Sequence, residues 1–87
     1  MELQSLRERI THIDREIIEK LAERFSVAKK IGNIKRQSGN PIEDVQREQT
    51  LAELHNTLAR SLGLNCEFIG ELFGRIISES KRIQGRD

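Results

Sequence analysis

Apolar residues in the first third of the chain fall at Leu3, Leu6, Ile10, Ile13, Ile17, Leu21, Phe25, Ala28 and Ile31. These nine positions span 28 residues in eight steps, a mean spacing of 3.5. That is a helical period, nearer to a coiled-coil seam than to a free surface helix. The many isoleucines do not overturn it, because propensity is weaker evidence than periodicity. Gly39 and then Pro41 supply the stop, so the pattern predicts a helix over about 3–37. A second stripe, Leu51, Leu54, His55, Leu58 and Leu62, ends at Gly63 and predicts a helix over 43–62. A third opens at Asn65, a good N-cap, with Leu64 and Ile69 at hydrophobic-staple spacing. It runs through Phe68, Ile69, Leu72, Phe73, Ile76 and Ile77, predicting a helix over 66–84. No segment alternates with period two and no Asn-Gly or Asp-Gly hairpin signal occurs. The expected fold is all-α, three helices in one domain over residues 1–87.

The length of the first helix changes the picture. About 34 residues at 1.5 Å each make a rod of about 50 Å. A compact chain of this size has a radius of gyration of about 12 Å and a diameter near 30 Å. Two helices of about 30 Å each cannot cover an apolar stripe that runs most of the rod. A second copy is the simplest cover, so the chain is expected to form an intertwined homodimer. The competing expectation is a break near Gly32, which would give a four-helix monomer.

Composition excludes several classes of function. Lys and Arg number 15 against 14 Asp and Glu, a net charge of +1. Nucleic-acid and anionic-membrane binders carry a strong basic excess, and neither partner is expected. No apolar run approaches 18 residues, and the first residues show no signal-peptide pattern. The one cysteine, Cys66, rules out an internal disulfide framework. A cytoplasmic protein is expected. With the sequence ending at Asp87, soon after Gln84, it reads either as a stand-alone protein or as one domain of a longer one.

The informative residues are polar ones on apolar stripes. Carried backwards from Leu51, the second stripe reaches Glu48 and Asp44, with Arg47 beside both. Carried forwards from Ile77, the third reaches Ser80 and Gln84, which share a face at i and i+4. On the first helix, Arg24 and Lys35 are eleven residues apart, so they return to nearly one face about 16 Å along the axis. Buried charges must be paired or bind something charged. Arg24, Lys35 and Arg47 with Asp44, Glu48, Ser80 and Gln84 would form a mixed pocket with a cationic surplus. That suits a small organic dianion bearing a hydroxyl. The pattern equally allows these residues to be ordinary surface ion pairs along helix edges.

The chain resembles the all-helical class of chorismate mutases, built as intertwined dimers of three-helix chains. The resemblance runs from about Leu3 to Gln84. It is carried by Leu6-Arg7-Glu8-Arg9-Ile10 with Ile13-Asp14, by Leu21-Ala22-Glu23-Arg24, and by Ile31-Gly32-Asn33-Ile34-Lys35. It continues in Pro41-Ile42-Glu43-Asp44-Val45-Gln46-Arg47-Glu48 and in Ile76-Ile77-Ser78-Glu79-Ser80-Lys81-Arg82-Ile83-Gln84. It implies conversion of chorismate to prephenate by a concerted rearrangement, with no cofactor and no metal. It further implies that Arg7 and Arg24 pair with the two carboxylates of the substrate. Lys35 would serve a carboxylate and the ether oxygen, and Gln84 would donate to that same oxygen. Glu48 with Asp44 would hold the ring hydroxyl, Arg47 would orient them, and Ser80 would contact a carboxylate. Arg7 precedes Arg24 by 17 residues, about 25 Å along a helix. One chain therefore cannot bring both to one small ligand, and the resemblance implies that Arg7 comes from the partner chain.

The residues also exclude common alternatives. There is no Ser-His-Asp arrangement, no His-Glu-x-x-His and no Gly-rich phosphate loop, and a concerted rearrangement needs none of them. Isochorismate-pyruvate lyase, on the same fold, is the nearest rival; Asp44 and Glu48 favour the mutase. A non-enzymatic helical dimerisation module would explain the 3.5 period but not the polar residues on the stripes. His12 is expected at the surface, His55 at the edge of the core, and Cys66 as a small helix residue. Gly70 and Gly74 suggest a close helix crossing. Lys81, Arg82 and Arg86 read as a solvated helix end.

Overall fold

A computed structural model describes residues 2–85; Arg86 lies outside the described residues. The described residues form three α-helices, α1 over Glu2–Ser38, α2 over Val45–Ser61 and α3 over Cys66–Gln84. The all-α, three-helix expectation holds. α1 continues through Gly32 as one 37-residue helix, so the four-helix monomer is overturned.

Local chemistry accounts for the boundaries. Gly39 has φ 74° and Gly63 has φ 72°, a left-handed conformation that glycine adopts without a Cβ penalty. The chain thus leaves α1 and α2 where the sequence placed a stop. Asn65 caps α3, its side chain accepting from the Phe68 N–H at 2.9 Å. α2 begins two residues later than the stripe suggested. Asp44 is its N-cap, and the carboxylate accepts from the Arg47 N–H at 3.0 Å.

α3 is the central element. It packs on both α1 and α2, while α1 and α2 share no packed face among the described residues. α1 and the end of α3 approach closely at Gly32. A Cβ built on Gly32 would stand 2.5 Å from the Gln84 carbonyl oxygen and 2.6 Å from its Cα. Only glycine lets the two backbones meet there. The crossing expected at Gly70 and Gly74 does not occur among the described residues, where a Cβ at either would meet nothing within 4 Å. Two small residues four apart do not identify the surface they will face, and Gly32 has a neighbour where these have none.

The molecule is a rod, 57 × 26 × 15 Å with a radius of gyration of 16.2 Å, against about 12 Å for a compact chain of this length. Ala28, Ala59 and Ile76 are the buried apolar side chains among the described residues. From Glu2 to Lys20 every residue is exposed, including Leu6 at 43% and Ile10 at 60%. The accessible surface is 7203 Å², whereas a compact monomer of this mass shows about 5,200 Å². No described helix is long and apolar enough to cross a membrane.

Candidate active site

One cleft of about 470 Å³ opens where the C-terminal half of α1, the start of α2 and the end of α3 converge. Arg24, Lys35, Asp44, Arg47, Glu48, Ser80 and Gln84 all line it. Seven of the eight residues singled out from the sequence thus face one space. The eighth, Arg7, is exposed on the uncovered half of α1 and does not line the cleft. Its separation from Arg24 along a continuous helix is about 25 Å.

The elements fix these side chains in pairs across helix boundaries. Arg24 of α1 donates to the Ser80 hydroxyl of α3. That hydroxyl donates in turn to the Ile76 carbonyl at 2.9 Å, so Ser80, buried at 5% exposure, has both of its hydrogen-bonding roles filled. Lys35 donates to the Ile42 carbonyl at 2.9 Å and to Gln84 Oε1 at 3.2 Å. An ammonium can only donate, so the amide oxygen of Gln84 must face it and the amide NH₂ is left as a donor. Arg36, on the opposite side of the crossing, donates to the Gln84 backbone carbonyl and to the Asn33 side chain. Gln84 is therefore held by main chain and side chain together, at the point where Gly32 admits it.

The acidic side of the cleft is built by α2. Asp44 is committed through one oxygen to capping that helix, which sets the first turn carrying Arg47 and Glu48. Glu48 accepts from Lys81 of α3 at 3.0 Å. Lys81 also reaches Glu43 at 3.4 Å. Hydrogen bonding to Glu48 is the main reason that Lys81 holds its proton above the ordinary lysine range, against a smaller opposing effect of burial. The expected solvated helix end is thus corrected. Lys81 also lines the cleft, where a carboxylate pair draws it in; its neighbour Arg82 pairs with Glu79 on its own helix at 2.5 Å. No sequence signal marks Lys81, because its partners lie 33 and 38 residues away.

The two histidines lie where the sequence suggested. His12 is exposed and pairs with Glu16 at 3.0 Å. His55 is partly buried against Phe73, with ring centroids 4.0 Å apart. Burial there, and secondarily the charge of Arg24, push its pKa below 6.5.

Chemically, the cleft offers two cations on α1, one on α2 and Lys81 on α3, a carboxylate wall at the start of α2 and an amide donor on α3. It can clamp anionic groups and place N–H donors against a third, weakly charged oxygen. Comparison with known proteins bears on the family. The family described as chorismate mutase type II matches residues 6–85. The chain is 37% identical over 78 residues to a bifunctional chorismate mutase/prephenate dehydratase of Escherichia coli (strain K12), covering 90% of this chain and 20% of that protein. It is 31% identical over 78 residues to the T-protein of Haemophilus influenzae, covering 90% of this chain and 21% of that one. To the chorismate mutase of Methanocaldococcus jannaschii it is 35% identical over 83 residues, covering 94% of this chain and 83% of that protein. The chain thus spans about a fifth of the length of the bifunctional relatives and most of the archaeal one. With the match reaching from the uncovered half of α1 to the glycine after Gln84, the chain belongs to the chorismate mutase type II family.

Proposed function

We propose that this chain converts chorismate to prephenate. The observation that carries the reading is the meeting of Arg24, Lys35, Glu48 and Gln84 around one cleft, together with membership of the family. The reaction is a concerted [3,3] rearrangement. The ether C–O bond breaks as a C–C bond forms between side chain and ring, with no proton gained or lost. The protein then has two tasks. It holds the substrate in the compact reactive conformer, and it stabilises negative charge growing on the ether oxygen.

Arg24 clamps one carboxylate, its guanidinium oriented by Ser80. Lys35 and the Gln84 amide stand 3.2 Å apart and converge on the ether oxygen, Lys35 also serving a carboxylate. Preorganised donors of this type contribute about 3–4 kcal/mol each to lowering a barrier. Glu48, with Asp44, receives the ring hydroxyl, and Arg47 orients that side of the cleft. Ser80 contributes to carboxylate binding through Arg24. The reaction takes place in the cytoplasm.

The working unit is a homodimer in which Arg7 of the partner subunit completes the site. Supporting this are the exposed apolar stripe from Leu3 to Ile17 and the surplus surface of about 2,000 Å² over a compact monomer. A surplus of that size per chain is in the range of obligate interfaces.

The test is loss of chorismate catalysed by the purified protein, followed spectroscopically with the product identified. Prephenate is expected, and Arg24→Ala is expected to lower kcat/KM at least a hundredfold, about 3 kcal/mol. Pyruvate and salicylate released from isochorismate, with chorismate untouched, would replace the mutase by the lyase. No turnover of either would leave a helical dimerisation module.

A further inference from the structure

We propose that Lys81 is a positioning residue of this site: it clips the Glu48 carboxylate and the connection between α1 and α2 onto α3, and so holds Glu48 where a substrate hydroxyl can be received. The inference rests on the mutase reading for its kinetics and on geometry for the clip itself.

Three observations lead to it. First, the Lys81 ammonium is shared. It donates to Glu48 Oε1 at 3.0 Å and to Glu43 Oε1 at 3.4 Å. Glu43 belongs to the connection between α1 and α2, and Glu48 to the first turn of α2. One α3 side chain thus ties down both the strap entering the site and the helix turn that forms its acidic wall. From the other side, Lys35 holds the same strap through the Ile42 carbonyl.

Second, Lys81 stands in the turn of α3 that carries Ser80 and Gln84 of the site. Ser80, which orients Arg24, precedes it, and Gln84 follows three residues later. A shift of that turn would move all three together, so the clip keeps the acidic wall in register with the donors.

Third, the pair stands between two clefts. Glu48, Ile77 and Lys81 line both the candidate active site and a second cleft of about 330 Å³ between α2 and α3. With side chains only 30% and 34% exposed, Glu48 and Lys81 form the polar part of the partition. Removing the ammonium would leave Glu48 free to turn towards the second cleft and admit water behind the substrate. The occupied oxygen is Oε1, and a carboxylate has a second oxygen for a hydroxyl donor. The contact to Glu43 is more exposed, at 66% on the glutamate side, and exposed pairs of that kind contribute little by themselves. The weight falls on Glu48.

The experiment is a double-mutant cycle on the full chain with chorismate as substrate. Lys81→Met is expected to raise KM about tenfold while kcat stays within about threefold, as for the loss of one charge-assisted contact that orients a binding group. Lys81→Arg, which keeps the charge and the donors, is expected to return KM to within about threefold of the parent. Glu43→Gln is expected to change KM less than about twofold. In a Glu48→Gln background, Lys81→Met is expected to change kcat/KM less than about twofold, because its effect passes through Glu48. Independent, multiplicative losses in the double variant would overturn the proposal, as would a Lys81→Arg variant no better than Lys81→Met. If Lys81→Met does not give the helical circular-dichroism spectrum of the parent, the cycle is run with Lys81→Gln. If the parent protein does not convert chorismate, the mutase reading fails separately, and the clip is read from amide hydrogen exchange. Exchange at Arg47 and Glu48 about tenfold faster in Lys81→Met supports it, since the first turn of α2 would open more readily; unchanged protection there overturns it.

Discussion

Gln84 shows how little freedom a single side chain has in this site. Lys35 occupies its amide oxygen, Arg36 its main-chain carbonyl, and Gly32 lies against its backbone. What remains is an amide NH₂ that donates at any ordinary pH. A carboxyl group there donates only while protonated, and the ordinary glutamate pKa is about 4.3. Gln84→Glu is therefore expected to lose activity at neutral pH and recover it as the pH falls below about 5, while the parent profile stays flat. Coincident pH profiles for kcat/KM of the two proteins would remove Gln84 from the ether-oxygen role. At this scale the sequence was readable wherever a polar residue interrupted an apolar stripe, as at Glu48, Ser80 and Gln84. It was unreadable at Lys81, since a lysine near a helix end looks the same whether it meets water or a carboxylate brought from another helix.

Among the elements, α1 and α3 depend on one glycine at their crossing. Replacing Gly32 by alanine would ordinarily favour a helix by about 0.5–1 kcal/mol. Here the added methyl would stand 2.5 Å from the backbone oxygen of Gln84, and overpacking against backbone costs about 1–3 kcal/mol. The second effect is the larger. Gly32→Ala is expected to lower the melting temperature and to reduce kcat by at least about tenfold, because it displaces the turn that carries Ser80, Lys81 and Gln84. A variant as stable and active as the parent would show that α3 can slide without consequence. The helix boundaries themselves were legible, because caps and stops are local. Asn65, Gly39 and Gly63 act on residues a few positions away. Which glycine marks a close crossing was not, because that depends on which surface lies opposite.

At the scale of the molecule, the chain by itself has very little interior. Ala28, Ala59 and Ile76 are small or few, and most of the larger apolar side chains of α1 face outward. Only the apolar part of the surplus surface, the kind carried by Leu6, Ile10 and Ile13, gains about 25 cal/mol per Å² when buried, before the entropy of association is charged against it. The sequence disclosed this mismatch through arithmetic alone, as a helix too long for its own two companions. It could not disclose how another copy would lie against it, which depends on the shape of both surfaces.

An unbroken α1 is also a spacer of fixed length, since a continuous helix keeps Arg7 and Arg24 about 25 Å apart whatever the ligand does. In the proposed homodimer the two arginines of one chain would serve different sites, and that has a genetic consequence. Chains carrying Arg7→Ala and chains carrying Arg24→Ala should each be inactive alone. Refolded together in equal amounts, they should regain about a quarter of the parent activity, because half of the randomly paired dimers are mixed and each of those carries one intact site and one doubly defective site. If the mixture stays as inactive as its components, each site is made by a single chain. Recovery near that fraction would mean that two damaged copies of the gene can complement each other within one enzyme.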